Sequence, residues 1–245
     1  MVLTRTEMIK YWSVQYYCIM DPSTDEAPAG PPEKPRRADL KRQSILEAAI
    51  DAFLANGYSR TSMDEIARLA RVSKQTVYMH FGDKDRLLTE IVMSVLTTVG
   101  ESVDREIAPL GASTNLEGDL RRHARRQLSA VLQPQPMRLR RLVIAEAVTF
   151  PELGKAFYEN GPGRTLAEYA EAFAELGERG LLDVADPTRA ASDFNWLVMS
   201  DPLNRAMLLG DDGPPVEASV DRWATRAVRT FLRAYARRPE ISTGK

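Results

Sequence analysis

The stretch TSMDEIARLARVSKQTVYMHFGDKDRLL, residues 61–88, decides the fold. Ser62 stands three residues before Glu65, the spacing of a capping box, so a short helix should begin near Met63 and run to about Ala70. Ile66, Ala67 and Ala70 form its buried side. Only Arg71-Val72 separates it from a second short helix, which runs from Ser73 to about Phe81 and is ended by Gly82. Two short helices joined so tightly must cross at a steep angle. That is the helix-turn-helix arrangement, which offers its second helix to the major groove of DNA.

The side chains of that second helix suit the task. Val77 and Phe81 share one face and can pack inward with Val72. Lys74, Gln75 and Thr76 occupy the exposed first turn. Gln pairs bidentately with adenine, Lys donates to guanine acceptors, and a Thr methyl touches that of thymine. Tyr78 and His80 lie further along and can donate to phosphates, and Lys84 adds a charge just beyond. Free N–H groups at the starts of the flanking helices are ready anion sites. Taken singly, each side chain reads as readily as solvated surface or plain packing. The weight lies in their assembly.

Charge agrees in its distribution rather than its sum. The 245 residues carry a net charge of −1. Residues 34–86, however, hold eleven Lys/Arg against seven Asp/Glu, a local surplus of four. Working outward, residues 40–57 repeat apolar side chains at helical spacing (Leu46, Ala49, Ile50, Phe53, Leu54) and stop at Asn56-Gly57. Asp83 should cap a fourth helix, about 83–107. Further helices are expected near 118–132, 137–148, 151–160, 163–179, 187–208 and 215–237, with Pro134 and Pro136 punctuating a turn. No region shows sustained period-two alternation. The expected fold is all-α: an N-terminal three-helix DNA-binding domain over 39–86, a C-terminal helical bundle for ligand binding and dimerisation over 87–238, and a tail at 239–245.

Residues 1–38 read as a disordered or extended leader, rich in Pro and acids over 21–35. Translation starting at Met8 or Met20 is the alternative. A single cysteine, Cys18, excludes an intrachain disulfide. No apolar run approaches the roughly 20 residues of a membrane span. The expected compartment is therefore the cytoplasm.

The region Leu46–Leu88 resembles the DNA-binding region of the TetR family. The diagnostic positions are Val72-Ser73, Thr76-Val77-Tyr78, Phe81, Lys84 and Leu87-Leu88. The resemblance implies that Ser62, Ser73, Lys74, Gln75, Thr76, Tyr78, His80 and Lys84 face DNA. Arg71 departs from the pattern, standing where the family usually has Gly. It implies either an altered turn or an added phosphate contact. Segments 141–162 and 186–210 look like an AefR-type regulatory domain.

In such a bundle, His123, Phe150, Phe157, Tyr158, Tyr169, Phe173 and Trp196 are candidate pocket residues for a small-molecule effector, although aromatics at helical spacing also read as ordinary core. His123 lies within an Arg-rich run that reads equally as a solvated basic face. By resemblance, the helices 187–208 and 215–237 pack against a second copy. A homodimer would place two recognition helices in successive major grooves of a pseudo-palindromic double-stranded operator, roughly 34–36 Å apart. The function expected is a repressor released from DNA by its effector, with an activator or a partner-regulated protein of the same fold as alternatives. No metal-ligand cluster, catalytic triad, nucleotide loop or cofactor motif is present, so neither an enzyme nor a cofactor is expected.

Overall fold

The computed structural model describes residues 37–104, 107–209 and 217–237; the expected leader up to residue 36 and the tail lie outside them, while Arg37 and Ala38, expected in the leader, open the first helix. The described chain is helical. It runs α1 (Arg37–Asn56), α2 (Met63–Ala70), α3 (Lys74–Phe81), α4 (Lys84–Asp104), a 3-10 turn (Ala108–Leu110), α5 (Leu116–Val131), α6 (Pro134–Glu146), α7 (Pro151–Asn160), α8 (Pro162–Glu178), α9 (Pro187–Leu209) and α10 (Glu217–Tyr235). Described residues from Leu40 onward belong to one compact unit.

Short-range chemistry sets most boundaries. Ser62, Ser73, Asn115 and Asp83 each accept a hydrogen bond from a backbone N–H three residues on. Helices α6, α7, α8 and α9 each begin on a proline. Proline lacks only an N–H that has no helical partner in the first turn, and its φ is already helical. Pro134 and Pro136 therefore open α6 instead of punctuating a loop, so that helix starts three residues earlier than expected.

Gly161 is the single residue between α7 and α8. A side chain finds no space here, because a Cβ would lie 2.9 Å from Leu96 Cδ2 and 2.9 Å from the Phe157 carbonyl oxygen.

Two apolar clusters hold the unit together. The first gathers Ile45, Phe53, Ile66, Val77, Phe81, Leu87, Ile91, Val92 and Leu96 around the helix-turn-helix. It also takes in Leu139, Leu142 and Val143 of α6 and Leu153 of α7. The second is built on Leu120, Leu128, Tyr169, Phe173, Phe194, Val198 and Phe231. Helix α4 enters both, through Leu87–Leu96 in the first and Val103 in the second. It thereby connects the helices that would meet DNA to the C-terminal bundle.

Candidate functional site

The helix-turn-helix is fixed by its caps. Ser62 Oγ accepts from the Glu65 N–H at 3.1 Å. The Glu65 carboxylate accepts from Asn56 Nδ2 at 3.3 Å, so it ties α2 to the end of α1. Arg71 takes the left-handed conformation, φ 57° and ψ 40°. The Val72 N–H then donates to the Ala67 carbonyl at 3.0 Å, closing α2 as a glycine would. The turn is retained, at a backbone cost of about 1 kcal/mol.

Recognition helix α3 starts at Ser73, whose Oγ accepts from the Thr76 N–H at 3.1 Å and lies 2.8 Å from Thr76 Oγ1. Both side chains are thus engaged in the cap. Lys74 is exposed and paired with Asp64 of α2, Nζ to Oδ1 2.7 Å. That carboxylate, through its hydrogen bond and its charge, raises the Lys74 ammonium above its ordinary value. Gln75 and Tyr78 are exposed, while Thr76 and His80 are half-buried. Val77 and Phe81 point inward, as expected.

Two features escape the sequence reading. Met79, one turn beyond Gln75, is 74% exposed and gives the recognition surface an apolar patch. Its spacing from Gln75 is the signal that could have found it. Lys84, expected at a phosphate, has a structural role in the unbound protein. Its ammonium donates to the carbonyls of Tyr58 (3.0 Å) and Thr61 (2.9 Å) and lies 4.1 Å from the centre of the Tyr58 ring. It clamps the start of α4 to the loop between α1 and α2.

The pocket candidates separate into groups. His123, Tyr169 and Phe173 come together, all fully buried, with Phe194 and Phe231. The His123 and Tyr169 rings meet edge-on at 5.2 Å, and Tyr169 stacks on Phe173 at 5.7 Å. Phe150 meets Tyr58 edge-on at 5.0 Å, and Phe157 lies under the Arg140 guanidinium. Tyr158 and Trp196 stand apart, 57% and 52% exposed.

A polar chain runs through the second cluster. Tyr169 OH donates to Gln127 Oε1 at 3.0 Å, and Gln127 Nε2 donates to Asn195 Oδ1 at 2.9 Å. With its one proton so directed, the Tyr169 oxygen accepts from His123 Nε2. That fixes the tautomer and makes Nδ1 a bare acceptor, which is buried without a protein partner. Burial first, and the Arg126 charge second, push the His123 pKa down to about 4, so the ring is neutral near pH 7. Arg121, Arg122 and Arg126 remain exposed around the buried His123. Gln127 and Asn195 were also missed. Gln127 sits one turn after His123 on the same stripe as Leu120, Ala124 and Leu128, and a polar residue on such a stripe is a readable signal.

Among the described residues, no helix is long and apolar enough to cross a membrane.

Comparison with known proteins gives the class. Residues 45–91 match the bacterial regulatory proteins of the TetR family, and residues 118–237 match the AefR-like transcriptional repressor C-terminal domain. A TetR-family transcriptional regulator from Mesorhizobium loti is 39% identical, with a TM-score of 0.75, over 82% of this chain and 100% of that one. The flavonoid-responsive regulator FrrA is 30% identical, with a TM-score of 0.68, over 81% of this chain and 98% of FrrA. The HTH-type transcriptional regulator HbdR of Aromatoleum is 35% identical over 91 residues, 37% of this chain; the match spans only 40% of HbdR. The chain belongs to the TetR family of transcriptional regulators, with an AefR-like C-terminal domain.

Proposed function

We propose that the protein is a homodimeric, sequence-specific DNA-binding repressor that a small-molecule effector releases from its operator. The exposed row Lys74, Gln75, Tyr78 and Met79, on a helix capped by Ser73 and anchored by Val77 and Phe81, carries this reading. Gln75 and Lys74 read base edges, and Met79 meets thymine methyls. Ser62, Ser73, Thr76, Tyr78 and His80 face the phosphates or lock the contacting turn. Lys84 contributes through its remaining N–H.

The His123–Tyr169–Gln127–Asn195 chain, bonded throughout except at His123 Nδ1, specifies how α5, α8 and α9 pack in the sensor half. FrrA, a relative, is named for its response to flavonoids. Helices α9 and α10 form the dimer face. On α9, Trp196 is 52% exposed, and Leu203 and Met207 follow on the same side, each half-buried. Helix α4 carries the change from bundle to heads. An effector acts only to the extent that it binds the released form more tightly.

The test is fluorescence anisotropy with the DNA upstream of the protein's own gene, across a salt series, against random DNA. Selective binding is expected, with Gln75→Ala altering base preference by about 1–3 kcal/mol at its contacted position. Equal affinity for random DNA would overturn the reading.

A further inference from the structure

Helix α6 carries three arginines within four residues: Arg138, Arg140 and Arg141. Arg141 Nη1 donates to the Ala206 carbonyl at 2.9 Å, capping the C-terminal end of α9, and Arg138 is also engaged. Arg140 differs. Its half-buried guanidinium lies over the Phe157 ring of α7, with Cζ 5.1 Å from the ring centre. Among the described residues, this ring is its only partner, and no carboxylate or carbonyl answers its N–H groups.

That arrangement is electrostatically incomplete. A guanidinium has five donors in a rigid plane and does not give up its proton in a protein. Burial already disfavours its charge. The face of one phenylalanine offsets only part of the lost hydration. Among the described residues no anion answers this half-buried charge, which marks a place that an anion can fill.

The surroundings define the rest of the ligand. Beside the half-buried Phe157 ring, Ile144 stands one turn beyond Arg140 on α6 and is 56% exposed, and Val148, just past the helix end, is 91% exposed, so an apolar surface adjoins the guanidinium. A fork of N–H donors beside such a surface complements a carboxylate on an apolar body.

We propose that Arg140 binds the carboxylate of an anionic, ring-bearing effector, seated at the α6–α7 face against α4. This rests on the effector-responsive reading above and supplies the ligand's chemical class. It also places the ligand beside the helix that leads to the heads.

The probes are 2-naphthoate and 2-naphthamide, which share a ring and differ in charge. Each is titrated calorimetrically into the full chain and followed by thermal shift. Wild type should bind the acid at least about tenfold more tightly than the amide, a difference of about 1.4 kcal/mol. Arg140→Gln should abolish that ratio. Arg140→Lys, which keeps the charge and loses the planar fork, should retain part of it. Equal binding of acid and amide, binding of neither up to their solubility limits, or an acid preference that survives Arg140→Gln would overturn the proposal. If Arg140→Gln does not fold, the wild-type ratio and Arg140→Lys decide. Operator binding without probe is measured in parallel. Arg140-dependent acid selectivity without operator binding would sink the regulator reading and leave this site standing. The reverse result would do the opposite.

Discussion

The Tyr58 ring meets the Phe150 ring edge-on, with centroids 5.0 Å apart and planes at 76°. Tyr58 belongs to the loop between α1 and α2, and Phe150 to the turn between α6 and α7. The pair therefore joins the DNA-binding helices to the C-terminal bundle by a route separate from α4. A double-mutant cycle with Tyr58→Leu and Phe150→Leu, read by urea unfolding, should give a coupling of about 0.5–1.5 kcal/mol. Additive effects would mean that the two rings do not act as a pair.

Arg71 is the only described non-glycine residue with positive φ. Its side chain is exposed and its backbone already closes α2. Arg71→Gly should leave stability unchanged or raise it by up to about 0.5 kcal/mol, the relief of about 1 kcal/mol of left-handed strain less about 0.5–1 kcal/mol for the extra freedom of glycine in the unfolded chain. Thermal unfolding checks this. The same variant should keep its base preference, because α3 does not move. A drop in affinity shared by all sequences would reveal a phosphate contact by Arg71.

Lys84 makes two charge-assisted hydrogen bonds to loop carbonyls. Lys84→Met keeps the chain length and removes the donors, leaving the Tyr58 and Thr61 carbonyls to water. A loss of about 1–3 kcal/mol in chemical unfolding is expected. The salt dependence of DNA binding separates the two roles. An unchanged slope in the variant identifies a clamp alone, whereas a slope reduced by about one shows that the third N–H reaches a phosphate.

His123 has its pKa lowered from 6.5 to about 4 by burial, with a smaller part from Arg126. Between those values the unfolded chain takes up a proton that the folded chain refuses. The stabilisation is complete above pH 6.5 and is lost as the pH falls towards 4, by about 3 kcal/mol across the window. Urea unfolding at stepped pH should show this fall in wild type and a flatter profile in His123→Gln. Matching profiles would place the acid sensitivity elsewhere.

Much of the fold is legible in the sequence because its signals act over three or four residues. Ser62, Ser73 and Asp83 mark helix starts through their own side chains, and proline marks four more. The recognition helix is legible for the same reason. The sensor is less so. In sequence, His123 is surrounded by Arg121, Arg122, Arg125 and Arg126, and only the packing of α5 against α8 and α9 decides that this one side chain turns inward. Tyr158 and Trp196 fail in the opposite sense: their aromatic character says core, but each sits on the outer side of its helix. Lys84 reads as a free cation because its two acceptors are backbone carbonyls more than twenty residues away, which no side-chain pattern announces.

Gly161 has a consequence beyond its own turn. Its missing side chain is what allows α7 and α8 to meet with Leu96 of α4 against the corner. A methyl group there would act as a wedge, pushing on α4 at Leu96 from a corner beside Phe157 and far along α4 from the recognition helix. On the function proposed above, Gly161→Ala would shift the balance between the DNA-binding and released forms with no effector present, a change in operator affinity that anisotropy reads directly.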